Sequence, residues 1–147
     1  MIQRFPTYPR EIFVDTSALY ASVDKDDDYH RSVVARLEEV VSVGGRLIVT
    51  NFVLAELHAL LLARLNRHVA FTSLQRLREN RDIGILRVSQ DDERRAWEII
   101  ERFTDKDFSF TDATSFAAME RLAITHALSL DAHFAQYGWV MLQVDRE

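Results

Sequence analysis

The chain contains no cysteine, and this absence removes several classes of functional site. With none among its 147 residues, disulfide scaffolds, zinc–thiolate sites, iron–sulfur clusters and cysteine nucleophiles are all excluded. The four glycines provide little material for a phosphate-cradling loop, and neither GxGxxG nor GxxxxGK[ST] occurs. Nucleotide cofactors are therefore not indicated, and the lack of disulfides favours a reducing, cytoplasmic environment.

Long apolar runs are missing as well. No stretch approaches the roughly 20 residues that a membrane span needs, and the first ten residues lack the apolar core of a signal peptide. We therefore expect a cytoplasmic protein with no membrane association. Residues 1–10 hold both prolines, Pro6 and Pro9, and are predicted to form an extended lead-in to a single domain over residues 1–147.

Positively charged residues are fewer than negatively charged ones, with 18 Lys and Arg against 23 Asp and Glu and a net charge of −5. Proteins that bind nucleic acid electrostatically usually carry the opposite balance, so composition alone argues against nucleic acid. Arginines nevertheless concentrate in the middle of the chain, where a phosphate-contacting surface and a solvated helix face explain them equally well. The candidate RNA-contacting residues are Arg64, Arg67, Arg76, Arg78 and Arg81.

Short apolar runs alternate with helical patterns along the whole chain. Strands are predicted at residues 12–14, 47–49, 83–88, 124–130 and 139–144. Helices are predicted at residues 18–23, 29–43, 51–65, 69–79, 91–103 and 111–122, with a turn or short helix at 131–136. Continuous apolar strands joined by helices indicate an α/β fold, with a short parallel sheet of four to five strands covered on both faces.

Carboxylates occur where such a fold binds ligands, beyond the carboxyl ends of its strands. Asp15 and Asp131 each follow a predicted strand, and Asp112 lies in the first turn of a helix. For these three, a helix cap or dipole compensation is a good structural explanation. Glu56 is the only charged residue from Asn51 to Ala63, and its helical neighbours are apolar. We therefore expect Glu56 to be paired or metal-bound rather than simply exposed.

Clustered carboxylates repel one another unless a cation lies between them. Oxygen ligands in this number suit Mg²⁺ or Mn²⁺ rather than zinc, and the chemistry they indicate is metal-assisted phosphodiester hydrolysis. The five histidines show no zinc-binding spacing, so most of them are interpreted as ordinary residues. They are His30, His58, His68, His126 and His133.

Four segments around these acids resemble the PIN-domain nucleases, and in particular the VapC-like toxins of toxin–antitoxin pairs. The segments are Val14–Leu19, Leu54–Leu57, Ser109–Ala113 and Ser129–Phe134. Each motif alone is weak, but the four occur in the right order and spacing, and the resemblance extends from about Glu11 to Val144. It implies a PIN-like three-layer α/β/α fold.

The resemblance also implies an activity and its partners. A VapC-like protein is an endoribonuclease that uses Mg²⁺ or Mn²⁺, forms a homodimer, and is covered at its active site by a small antitoxin protein. The acidic cluster would be Asp15, Glu56, Asp112 and Asp131. The supporting hydroxyl residues would be Thr16, Ser17, Thr111 and Ser129.

This sequence departs from the family pattern at three places. About ten residues precede the first strand, Ala132 stands where relatives often carry a second acid, and Asp107 is an extra acid of open role. None of these departures removes a carboxylate of the cluster.

Other functions remain open. A PIN nuclease of RNA processing would carry the same acids, and a non-catalytic PIN module would bind RNA or protein without cutting. A haloacid dehalogenase phosphatase would need an aspartate where the chain has Ser17. A receiver domain needs paired early acids and a later lysine, and the chain holds only Lys25 and Lys106. Mg²⁺ binding that disappears in Asp15→Asn would favour the nuclease.

Overall fold

Strands and helices alternate in the computed structural model of the protein, which describes residues 7–147. The strands are β1 (Glu11–Val14), β2 (Arg46–Thr50), β3 (Ile83–Leu86), β4 (His126–Leu128) and β5 (Val140–Met141). The helices are α1 (Thr16–Val23), α2 (His30–Ser42), α3 (Asn51–Arg64), α4 (Arg67–Glu79), α5 (Gln90–Arg102), α6 (Phe110–Leu122) and α7 (Ala132–Tyr137). The six longer helices agree with the predicted ones to within two residues at each end.

The strands form one parallel sheet in the order β3-β2-β1-β4-β5. Phe13 at the centre of β1 lies opposite Ile48 of β2 on one side and Ala127 of β4 on the other. Helices cover both faces, so the predicted three-layer α/β/α fold is confirmed. The chain adds β2 and β3 on one side of β1 and then β4 and β5 on the other. The carboxyl ends of β1 and β4 therefore flank a topological switch point, where α/β sheets bind ligands.

Strands β1 and β2 are buried because their side chains are apolar on both faces. Ile12, Phe13 and Val14 of β1 are fully buried, and residues 47–49 of β2 are nearly so. Full burial of one large apolar side chain stabilises a fold by about 1.5–3 kcal/mol. By contrast, β3 is an edge strand, with Ile85 40% exposed. The core therefore holds rigidly the end of β1 from which Asp15 projects.

Strands β4 and β5 are shorter than predicted, because residues that flank β4 make hydrogen bonds to neighbouring elements instead of pairing in the sheet. Ala123 ends α6 in the left-handed conformation, and the Ile124 amide donates to Met119 O. At the other end, the Ser129 hydroxyl turns toward Asp15. In the described chain, strand β5 pairs only with β4, and the ladder between them has just two residue pairs.

An ion pair whose carboxylate is buried joins α5 to α6. Arg121 Nε and Nη2 each donate to one oxygen of Asp92 at 2.9 Å, and Asp92 is 2% exposed. Because such a bidentate pair is strongly directional, it orients α6, whose first turn carries Asp112. This pair was not predicted from the sequence.

The predicted lead-in lies partly outside the described residues, which exclude residues 1–6. Residues 7–10 precede β1 without helix or strand, and the Tyr8 hydroxyl accepts a hydrogen bond from Arg36 Nη1 at 2.8 Å. The extended lead-in and the single domain over residues 1–147 stay predictions. Over residues 7–147, none of the helices is long and apolar enough to cross a membrane.

Candidate active site

A cleft of about 380 Å³ opens at the carboxyl ends of β1 and β4. Arg64 and His133 line it together with hydroxyl and apolar side chains. Its acidic lining residues are Asp15, Asp27, Glu56, Asp112 and Asp131. The fold therefore brings all four predicted acids to one cleft and adds Asp27, which was not predicted as a site residue.

Asp15 is tied to the end of β4 by two hydroxyl groups. Its Oδ2 accepts hydrogen bonds from Ser129 Oγ at 2.8 Å and from Ser17 Oγ at 3.2 Å. Ser17 Oγ also accepts from the Leu130 amide at 2.9 Å, and Ser129 Oγ accepts from the Asp131 amide at 3.0 Å. These two serines therefore join the loops after β1 and β4 and fix the orientation of the Asp15 carboxylate.

The Asp15 carboxyl holds its proton more tightly than an ordinary aspartate. Burial raises its pKa to about 6, the hydrogen bond from Ser129 lowers it, and the negative charge of Asp112 raises it. Since the residue is only 4% exposed, water does little to stabilise its charge. A cation in the cleft would remove this cost.

Asp112 and Asp131 each use one carboxylate oxygen to hold local structure. Asp112 Oδ2 accepts from the Ser109 amide at 3.1 Å and from His133 Nδ1 at 2.8 Å. Asp131 Oδ1 accepts from the His133 amide at 3.0 Å and so caps α7. Across residues 7–147, no hydrogen bond reaches Asp112 Oδ1 or Asp131 Oδ2. Both acids are thus helix caps, and each keeps one oxygen for a ligand.

Asp112, Asp131 and His133 form the tightest cluster in the cleft, with one ligand atom from each lying within 4.8 Å of the others. Asp15 and Glu56 lie outside this group. His133 is an exception to the interpretation of most histidines as ordinary residues, because its ring contacts both acids. The sequence feature that could have identified His133 was its position two residues after Asp131, in the first turn of a helix that begins at a strand end.

Glu56 faces the cleft, but its side chain is exposed, contrary to the expectation from its apolar neighbours. Ala55 and Ala59 beside it are exposed too, so this face of α3 does not require Glu56 to be paired, and metal binding by Glu56 stays a prediction. The apolar face of α3 is real, but the described part of this chain does not cover it. Glu56 accordingly has no ion-pair partner among residues 7–147 and points its charge toward solvent and the cleft.

The four predicted hydroxyl residues separate into two groups. Thr16, Ser17 and Ser129 lie at or beside Asp15, and Thr16 Oγ1 is buried with no hydrogen-bond partner in residues 7–147. Thr111 is not part of the cleft lining in the described chain. Asp107 is exposed and also lies outside the lining.

The candidate arginines are spread over the surface rather than gathered in the cleft. Only Arg64 lines it, with its guanidinium 5.1 Å from the centre of the Tyr20 ring. Arg67 begins α4 and Arg81 follows it, and both are exposed. Arg76 and Arg78 line two other grooves. A role of all five in RNA contact remains a prediction.

The donor set fits a hard divalent cation. An octahedral Mg²⁺ holds its ligands at about 2.1 Å, so ligand atoms around one ion lie roughly 3–4 Å apart. The cluster's ligand atoms, which lie within 4.8 Å of one another, are spaced close to that range. Bound Mg²⁺ or Mn²⁺ would accept the free oxygens of Asp112 and Asp131 as ligands, and its charge would favour the ionised form of Asp15.

Comparison with known protein families shows which family this chain belongs to. The PIN-domain profile matches residues 12–140. The chain belongs to the PIN-domain family. The resemblance seen in the four sequence segments is therefore confirmed, and the acidic cleft lies where that family's fold brings β1 and β4 together.

Relatives of this PIN-domain protein are known in sequence and structure. It is 33% identical over 129 residues to the 23S rRNA-specific endonuclease VapC20 of Mycobacterium tuberculosis, covering 88% of this chain and 95% of VapC20. The crystal structure of VapC20, described as a Sarcin-Ricin loop cleaving toxin, matches with a TM-score of 0.80 and 30% identity over 90% of this chain and 98% of that one.

More distant PIN structures share the fold. VapBC2 from Rickettsia felis, bound to a DNA fragment from its promoter, matches with a TM-score of 0.72 at 13% identity, covering 92% of this chain and 99% of that one. FitAcB from Neisseria gonorrhoeae matches with a TM-score of 0.68 at 16% identity, covering 90% and 96%. The architecture thus persists where most of the sequence differs.

Proposed function

We propose that this PIN-domain protein is a divalent-metal-dependent endoribonuclease and the toxin of a type II toxin–antitoxin pair. The observation that carries the proposal is the convergence of Asp15, Asp112 and Asp131 at the switch point of the sheet. Each lies at the start of a helix and faces one cleft. The 33% identity to an endonuclease specific for 23S rRNA supports the RNA substrate.

Residues of this chain would hold the ion and orient the site. Asp112 and Asp131 offer their free oxygens, while Ser17 and Ser129 fix the third carboxylate, Asp15, through its Oδ2. Glu56 would face the cluster from α3. Bound Mg²⁺ or Mn²⁺ would supply Lewis acidity and an activated water nucleophile for phosphodiester hydrolysis.

The RNA backbone needs cationic contacts despite the net charge of −5. Arg64 provides one at the cleft itself, and its contact with the Tyr20 ring limits where the guanidinium can move. A divalent ion would offset much of the negative charge of the acids. The cleft would then attract a phosphodiester rather than repel it.

Cleavage of RNA should depend on a divalent ion. Purified protein incubated with ribosomal RNA is expected to produce discrete fragments in Mg²⁺ or Mn²⁺ and none in EDTA, with products resolved on denaturing gels. Ribosomal RNA is the suitable first substrate because VapC20 is specific for 23S rRNA. Equal cleavage in EDTA would reject the proposal, and intact RNA under every metal condition would favour a non-catalytic module.

A toxin of this type acts in the cytoplasm on RNA and is controlled by a small antitoxin protein. The VapC20 relative is described as a toxin, and the open acidic cleft of this chain is a surface that such an antitoxin would cover. We therefore propose that expression of this chain alone arrests bacterial growth. An antitoxin would relieve the arrest by occupying the cleft.

An exposed apolar face supports the proposed homodimer. Ala55, Ala59 and Leu62 share one face of α3, and all three are exposed. Phe52 near the start of α3 and Trp97 of α5 both pack against Phe110, and Trp97 is 59% exposed. An exposed apolar patch that contains aromatic side chains is typical of an interface. We name this patch the α3–α5 face.

Disrupting the α3–α5 face should produce monomers. Trp97→Glu is expected to raise the dimer dissociation constant about 30-fold or more, as measured by sedimentation equilibrium, because a buried interface tryptophan contributes at least about 2 kcal/mol. Phe71→Glu is the matched control, since Phe71 is similarly exposed, at 57%, but lies on α4. A dimer that tolerates Trp97→Glu but not Phe71→Glu would assign the interface to α4 instead.

A further inference from the structure

His133 contacts two acids of the cleft through two different nitrogen atoms. Its backbone amide donates to Asp131 Oδ1 at 3.0 Å. Its ring Nδ1 lies 2.8 Å from Asp112 Oδ2 and 3.3 Å from Asp131 Oδ1. One residue thereby links a carboxylate at the start of α6 to a carboxylate at the start of α7.

The two neighbours of Nδ1 determine which way the hydrogen bond runs. An ionised carboxylate can only accept hydrogen bonds, so Nδ1 must carry the proton and donate it. The ring N–H donates to Asp112, while the backbone amide of the same residue donates to Asp131. Together the two donors hold the Asp112 and Asp131 carboxylates near one another in the protein without metal.

Aromatic packing fixes the plane of the His133 ring. Phe108 meets it edge-on, with ring centres 5.5 Å apart and an angle of 81°. Phe108 is itself 8% exposed and packs edge-on against Phe116 of the core at 5.1 Å. The His133 side chain is only 25% exposed. The direction of the Nδ1–H bond is thus set by the core rather than by a mobile surface side chain.

We propose that His133 is a positioning residue that preorganises the metal site by holding Asp112 Oδ2 and Asp131 Oδ1. The carboxylate oxygens it occupies are not the free ones, so Asp112 Oδ1 and Asp131 Oδ2 remain available to the ion. The inference rests on the proposed metal-dependent nuclease. It adds a residue that orients the ligands, in the way that outer partners orient metal ligands elsewhere.

The first test reads the proton on His133 in the protein without metal. In EDTA, long-range ¹H–¹⁵N correlation spectra of the ¹⁵N-labelled chain should show Nδ1 of His133 protonated, with assignment by loss of the signal in His133→Asn. The same spectrum with an unprotonated Nδ1 would overturn the proposal, because the ring could not then donate to the Asp112 carboxylate.

The second test measures Mn²⁺ affinity by calorimetry. An asparagine amide nitrogen lies near the position of Nδ1, whereas a glutamine amide nitrogen lies near that of Nε2. His133→Asn should therefore bind Mn²⁺ about as well as the wild type, and His133→Gln should bind about 10- to 100-fold more weakly. The control is His126→Asn at the start of β4, the opposite end of that strand from the cleft. Affinity unchanged in His133→Gln would overturn the proposal.

Failure of this inference is distinguishable from failure of the proposed function. If the wild type binds Mn²⁺ with the predicted variant pattern but cuts no RNA, the positioning role stands and the nuclease does not. If the wild type cuts RNA with Mg²⁺ while His133→Gln binds Mn²⁺ normally, only the positioning role falls. A wild-type chain that binds no Mn²⁺ overturns both.

Discussion

Asp112→Asn is expected to lose more than about 100-fold of the Mg²⁺-dependent RNA cleavage while the protein stays folded. Loss of an outer partner of a metal ligand typically costs 10- to 100-fold, and Asp112 is proposed as a direct ligand. Asparagine retains an oxygen that can accept the Ser109 amide and His133 Nδ1, so the start of α6 should persist. The free energy of unfolding should change by no more than about 1 kcal/mol, the scale of a helix-terminal charge.

Two measurements separate chemistry from folding in this variant. Initial cleavage rates are measured on the same RNA for the wild type, Asp112→Asn and Asp91→Asn, and urea unfolding is followed in parallel. Asp91 is a suitable control because it is an exposed acid in the first turn of α5, paired only with Arg94. A folded Asp112→Asn variant with the wild-type rate would reject Asp112 as a metal ligand.

Asp15→Asn is expected to stabilise the metal-free protein at neutral pH. Burial raises the pKa of Asp15 to about 6, so ionising it in the folded state costs at most about 3 kcal/mol. The unfolded chain releases this proton near pH 4, whereas the folded protein retains it to about pH 6. Wild-type stability therefore falls as the pH rises through this window, and the asparagine variant lacks that loss.

The resulting difference in stability depends on pH with a defined sign. In EDTA, the free energy of unfolding of Asp15→Asn minus that of the wild type should be near zero at pH 4 and should grow until about pH 7. Urea titrations at several pH values measure it, with the exposed Asp107→Asn as control. A difference that is flat with pH, or that favours the wild type at pH 7, would contradict the buried, costly charge assigned to Asp15.

The fold was predictable because its inner strands are continuous apolar runs. Residues 12–14 and 47–49 are buried on both faces, as that pattern indicates. The ends of β4 were not predictable from hydropathy, since Ile124 donates a hydrogen bond to the end of α6 and Ser129 donates one to Asp15. Hydropathy detects burial, but it does not show whether a buried residue pairs in the sheet or packs beside it.

The acids of the site were identified because they follow strands, a position set by topology. His133 was missed because a metal-ligand spacing was sought within one segment, whereas its partner Asp112 lies 21 residues earlier on another helix. The exposure of Glu56 was not predicted, for a different reason. Periodicity marks an apolar helix face, but it does not say whether this chain or a second molecule covers that face.

The net charge of −5 initially argued against nucleic acid. In the structure, five acids face a single cleft that Arg64 also lines. A sum over the chain cannot distinguish dispersed acids from a group assembled to bind a cation. The unfavourable net charge is thus partly a consequence of the proposed metal site.

The most direct measurement of the central claim is end-mapping of RNA cut by the wild type in Mg²⁺, in EDTA, and in EDTA followed by excess Mg²⁺. Asp112→Asn is run beside it under the same conditions. Discrete, identical ends are predicted for the wild type in the first and third reactions, with none in EDTA and none from Asp112→Asn. The same ends appearing in EDTA, or from Asp112→Asn at the wild-type rate, would contradict a metal-dependent nuclease built on these carboxylates.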